Sequence, residues 1–268
     1  MALSGLIPRQ APQFQQLEPL PPAIIAGYLK MATSAPKNIK PIKVDAMRTR
    51  LAKMINARDM FAADLDNAHV YISAGNNKTG FAVPSVSLIP VADCGNCAVC
   101  SRLCYDLRND CIYNGVTDTR AKNSAIAHND RRRYFMEISG ACKAFRFFRW
   151  HIGGDILDLA YFIGMVNVAI DNPHCTFLAF TKQYTIINGF IADGGVIPSN
   201  LQIIFSDWPG AKMKNPYMFP TSSPVFADGT TAAPAHAIDC PGDCSNCAVM
   251  GSGCWTLKQG EGVKFNAH

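Results

Sequence analysis

Charge is scarce in this chain, and long apolar runs are absent. Only 17% of its 268 residues are Asp, Glu, Lys or Arg, and 49% are hydrophobic. That balance excludes a disordered chain and leaves a globule with a sizeable core. The most apolar stretch, residues 152–170, is interrupted by Asp155 and Asp158. It falls short of the ~20 apolar residues that span a bilayer, so no membrane segment is expected. The first 22 residues carry Pro8, Pro12, Pro19, Pro21 and Pro22 and have no apolar core. A signal peptide is therefore not expected, and a cytoplasmic setting is. An even cysteine number is missing too. Eleven cysteines in a chain of this length do not suit a small secreted disulfide framework.

What charge there is lies unevenly. Residues 1–150 hold 20 Lys and Arg against 11 Asp and Glu, a net +9, while residues 151–268 hold 5 against 9, a net −4. A basic first half can meet an anionic partner, or simply be a solvated face. Residues 1–35 read as an extended arm and 36–268 as a single α/β domain. Val44, Met47, Leu51, Met54, Ile55 and Phe61 recur at helical spacing, which predicts a helix over 44–65. Strands are expected at 69–73 and within 81–91, and one helix from about 123 to 138. An alternating pattern follows: strand 145–152, helix 156–170, strand 175–181, helix 184–193, strand 201–206. Such alternation implies parallel pairing through right-handed crossovers. The last 60 or so residues, rich in Pro, Gly, Ser and Ala, read mainly as ordered loop.

Eight cysteines form two tight groups. Cys94, Cys97, Cys100 and Cys104 are separated by two, two and three residues, and Cys240, Cys244, Cys247 and Cys254 by three, two and six. Thiolates at such spacing converge on one metal or one cluster edge. The first spacing matches the cysteine run of bacterial ferredoxins, with Tyr105 where that run has Pro. One or two [4Fe–4S] clusters using all eight cysteines are expected, with zinc as the alternative. Cys240, Cys244 and Cys247 also spell the spacing of radical SAM enzymes, but there the motif follows the first strand. Here it lies beyond the whole strand–helix pattern. Cys111, Cys142 and Cys175 stand alone and read as small buried hydrophobes.

Ligands of parallel α/β folds bind at the carboxyl ends of strands. Those ends carry His151 and Asp155, then Thr181 and Lys182, then Ser206, Asp207 and Trp208. Lys182, His151 and Asp155 are the candidate catalytic residues, suited to holding a small anion or moving a proton. The plainer alternatives are a helix N-cap for Asp155 and a structural His151. Arg146 and Arg149, and the run Arg131, Arg132 and Arg133, are candidate phosphate or nucleic-acid contacts.

The order of GNNKTG (75–80), SLIPVADCGNCAVCSRLCY (87–105), RWHIGGDILD (149–158), FLAFTK (177–182), FSDWPG (205–210) and CPGDCSNCAVMGSGCW (240–255) resembles phage "gene product 88"-type proteins. The resemblance covers about residues 70–256. It implies an α/β fold that is an incomplete (β/α) barrel of parallel strands with long cysteine-bearing loops, similar to the radical SAM fold. It also implies an iron–sulfur cluster in a host-cell cytoplasm. By position, Cys104 with Tyr105 matches a recurrent Cys-Tyr pair, Asp155 an acidic residue after glycine, and Lys182 a Thr-Lys pair. The dense run at 94–104 departs from the family pattern. The expected function is a redox or small-molecule enzyme with its cluster at the carboxyl rim, meeting an electron donor or a small anionic substrate. Two alternatives stand beside it. One is a structural metal protein binding nucleic acid or a host protein, and the other a radical SAM-like enzyme.

Overall fold

The computed structural model describes residues 42–75, 80, 82–95, 100–109, 114–229, 231 and 233–266. The expected arm over 1–35, Cys97 and Cys111 lie outside the described residues.

Helix α1, Val44–Ala63, buries Met47, Leu51 and Met54, one stripe of the expected pattern. Strand β1 is only Ser85–Val86. Residues 69–73 contribute a single antiparallel bridge, Ser73 to Ser85, rather than a strand. Helix α2, Tyr105–Asn109, leads into α3, Asn114–Asn129, and α4, Arg131–Cys142. The single helix expected over 123–138 is thus two. Asp130 sits at φ −140°, outside helical geometry, and its carboxylate accepts from Arg133 N at 3.0 Å, capping a new helix.

The α/β pattern then holds. Strand β2 is Phe147–Trp150, α5 Leu159–Asp171, β3 Thr176–Thr181, α6 Tyr184–Ala192 and β4 Leu201–Ser206. The last part of the chain corrects the loop expectation. It holds β5 Thr221–Val225, β6 Ile238–Asp239, α7 Cys244–Met250 and β7 Gly262–Asn266. All seven strands form one parallel sheet in the order β1-β2-β3-β4-β5-β7-β6. The two edges, β1 and β6, do not meet, so the sheet is an incomplete barrel.

Side-chain alternation divides the sheet into two faces. Phe148, Trp150, Phe177, Ala179, Ile203 and Phe205 pack with helices α3 to α6. Leu178, Ile204 and Val263, with Phe147 and Phe180, point the other way and pack against α7, Trp255 and Leu257. A third cluster joins Met47, Leu51 and Met54 of α1 to Ile89, Val91 and Leu107, next to Cys94, Cys100 and Cys104. Among the described residues, no helix is long and apolar enough to cross a membrane.

Candidate metal centres

The loop after β1 carries the first cysteine group at the carboxyl rim. It is tightly wound: Asp93 accepts from Ile89 N at 2.9 Å, and Val91 is held at φ 70°, which a β-branched residue rarely adopts. That turn aims Val91 N at Cys94 Sγ, 3.2 Å away. One turn further on, Leu107 N points at Cys104 Sγ at 3.4 Å. Gln183, just past β3, ties this loop to the rim by donating to Cys94 O at 2.7 Å. The Cys104 thiol is held well above its ordinary pKa, first by burial, then by Asp106, Cys100 and Cys94. The described thiols of the group therefore lie close enough to repel one another when ionised.

Three cysteines of the second group, Cys244, Cys247 and Cys254, are not on a loop, as expected, but on helical turns by the opposite face of the sheet. Cys240 follows β6, and its N–H donates to Lys264 O at 2.8 Å. Asp243 caps α7 by accepting from Asn246 N, which places Cys244 and Cys247 on one helix side. Cys254 lies in a short 3-10 turn, Gly253–Trp255, and Trp255 Nε1 donates back to Cys244 O at 3.2 Å. Gly80 lets this helix dock: a Cβ there would lie 1.8 Å from Ser245 Oγ, which accepts from Ala82 N. The Cys254 thiol is pushed up to about 12 by burial, then by Cys240 and Cys244, with Arg149 opposing.

Polar residues stand between the two groups. Arg149 of β2 shares the inner face with Phe147, donates from Nη1 to Cys244 Sγ at 3.4 Å and lies over the Phe180 ring at 5.0 Å. Tyr105 donates from its hydroxyl to Ile152 O at 2.9 Å. Its neighbour Asp106 pairs with Arg120 at 2.5 Å in the interior. Gly153 makes room for that pair, since a Cβ there would lie 1.8 Å from Asp106 Oδ2. The only sequence signal for Arg149 is a cation in the apolar strand FRFFRW, and nothing marks Asp106 or Arg120.

The three strand-end candidates are brought to one rim, with different surroundings. Asp155 is buried and accepts from Thr181 Oγ1, Lys182 N and Ile156 N at 2.7, 2.9 and 2.7 Å. It is not the N-cap. Asp158 caps α5 instead, accepting from Tyr161 N. Burial pushes the Asp155 carboxyl up despite those bonds. His151 is buried at φ 53°, with Nε2 2.8 Å from Tyr161 Oη, and burial pulls its pKa down to about 3. Lys182 Nζ lies over the Trp208 ring at 5.5 Å.

The arginine run is largely tied down. Arg131 is buried, and its Nη1 donates to both carboxylate oxygens of Asp158 at 2.7 and 2.8 Å. Arg133 donates to Leu65 O at 2.8 Å and lies near Asp130 and Glu137, while Arg132 is exposed. Arg146 lies at the other end of β2, lining a cavity of about 380 Å³ with Ile72, Pro84 and Phe145.

Among the described residues, no disulfide joins any of the nine described cysteines to another. Among the described residues, no three Cys, His, Asp or Glu side chains are drawn together closely enough to cage a metal ion. The donor set nevertheless suits a thiophilic metal. The thiols of each group feel one another's charge, and N–H groups point at three sulfurs, as they do around iron–sulfur ligands. The family model described as gene product 88 matches residues 51–215, a span that holds the first cysteine group, His151, Asp155 and Lys182 and ends before β5. No curated protein and no solved structure matches the chain.

Proposed function

The chain belongs to the gene product 88 family of phage proteins, and from that premise we propose that it is an iron–sulfur protein of the host cytoplasm that acts in redox or small-molecule chemistry. The observation that carries this reading is the position of Cys94, Cys100 and Cys104. They pack against one apolar cluster beside the carboxyl ends of β1 to β3, with Val91 N and Leu107 N directed at two sulfurs. Ligands of parallel α/β sheets bind at that rim. A bound [4Fe–4S] cluster would supply one-electron transfer there.

The chain's own residues shape the surroundings. Lys182 brings a positive charge to the rim and suits a small anionic substrate, while an electron donor would dock from outside. Asp155 fixes the backbone of Lys182 through the 2.9 Å bond to its N–H, and the side chain reaches over the Trp208 ring. His151, neutral because of burial, can position but not donate a charge. A reducing compartment keeps the thiols available as ligands.

A second reading applies to the second group alone. Cys247 is buried in the core face and Cys244 is tied to Trp255, which favours a structural staple of zinc or a closed cluster.

Anaerobic purification with iron, acid-labile sulfide and zinc counted per chain tests both readings. About eight iron and eight sulfide mean two cubanes, and about four of each mean one. A Cys94/Cys100/Cys104→Ser variant should lose the rim cluster and its visible absorption. Iron at the first group with zinc at the second would establish the staple, whereas zinc without iron at either group would overturn the iron–sulfur reading.

A further inference from the structure

Arg149 is a cation on the inner face of a parallel sheet, among Phe147, Leu178, Phe180 and Trp255. Among the described residues its Nε is shut off from solvent without a hydrogen-bond partner, and its Nη1 donates to Cys244 Sγ. The carboxylate that feels its charge, Asp106, is already taken by Arg120 at 2.5 Å. A guanidinium stays charged at any physiological pH. A part-buried cation with an unpartnered Nε is a costly arrangement beside neutral thiols, whereas one facing an anionic centre is stabilised. Four thiolates on a divalent metal, or on a cubane, carry net negative charge. The thiol it touches, Cys244, belongs to the second cysteine group, and Cys254 of the same group also meets its charge, beside the Tyr105 hydroxyl.

We infer that Arg149 is the counter-charge of an anionic thiolate–metal centre formed by Cys240, Cys244, Cys247 and Cys254, so that this group is a loaded site in its own right rather than a reserve of thiols. The inference rests on the metal-binding reading above, but not on which metal is held. Arg149 acts as a positioning residue. It orients Cys244 through its N–H and lowers the energy of the thiolate form through its charge. Phe180 holds the guanidinium plane from behind.

The inference gives opposite signs for one substitution in two states. Arg149→Met removes the charge and keeps the apolar stem. In the metal-free full chain it should leave stability against urea unchanged or raise it, because an uncompensated cation is gone. In the loaded chain it should weaken the second group's affinity for cobalt(II), measured against a chromophoric chelator, by at least tenfold. The first group's affinity, followed in a Cys240/Cys244/Cys247→Ser background, should not move. Arg149→Lys should keep most of the affinity. Equal affinity in wild type and Arg149→Met would overturn the inference, and so would a lower metal-free stability with equal loss at both groups, which marks a packing role. If neither group of the wild type takes up any metal, the metal-binding reading fails first. If the first group loads and the second does not, this inference alone fails.

Discussion

At the scale of single residues, burial decides what an ionisable group can do. His151 keeps a pKa of about 3 in the folded chain against an ordinary 6.5, so between those values the unfolded chain binds a proton that the folded chain does not. Stability contributed by neutral His151 is present above pH 6.5 and lost as pH falls toward 3. The slope approaches about 1.4 kcal/mol per pH unit in that window. His151→Asn tolerates the positive φ and cannot titrate. Its urea midpoint should be lower at pH 7, and its decline between pH 6.5 and 4 shallower than in wild type. Parallel declines would show that the ring charges inside the fold. Cys142 and Cys175 teach a related lesson. Read one at a time they are small hydrophobes, and both are indeed buried. Folding also makes them partners: the hydrogen bond with Cys175, then burial, holds the Cys142 thiol far above its usual range.

At the scale of elements, caps and ion pairs join helices that the periodicity alone runs together. Asp158 caps α5 and at the same time pairs with Arg131 at the first turn of α4. One carboxylate thus sets two helix starts. Asp158→Ala loses the cap and leaves Arg131 without its partner, and should destabilise by about 2 kcal/mol after allowance for its part-exposed position. Chemical unfolding measures that value; a change of about 1 kcal/mol would mean that the pair contributes little beyond the cap, and one below about 0.5 kcal/mol that neither contributes. The same contacts draw two of the run's three cations into the helix junction, and Arg132 is left outside.

At the scale of the whole molecule, the order of strands makes the end of the described chain central. Strand β7 lies between β5 and β6, with Val263 paired to Ser222 on one side and Ile238 on the other. Truncation after Gly260 should therefore release β6 and α7 together and uncover the inner face of β3 and β4. The expected outcome is loss of cooperative unfolding by circular dichroism and of any metal held by the second group. A truncated chain that unfolds with the wild-type midpoint would contradict this placement. The segment that brings the second cysteine group is thus also the cover of the sheet.

Local pattern was enough for the strand–helix alternation from β2 to β4, because those strands are continuous apolar runs and their helices have apolar stripes. Cysteine spacing alone marked both thiol groups, and strand ends alone marked Lys182, His151 and Asp155. Strand β5 was invisible because TSSPV has no apolar run and carries a proline, which reads against a strand. Its pairing comes from neighbours, and Pro224 lies beyond the last β4 pair, Ser206 with Ser222. Only the tertiary structure decided that Arg149 faces Cys244, a residue 95 positions away, and that Asp106 and Arg120 close a pair under Gly153. Side-chain periodicity reports which face a residue takes, but what meets that face depends on a crossover, and a crossover leaves no mark on the residues at either end of it.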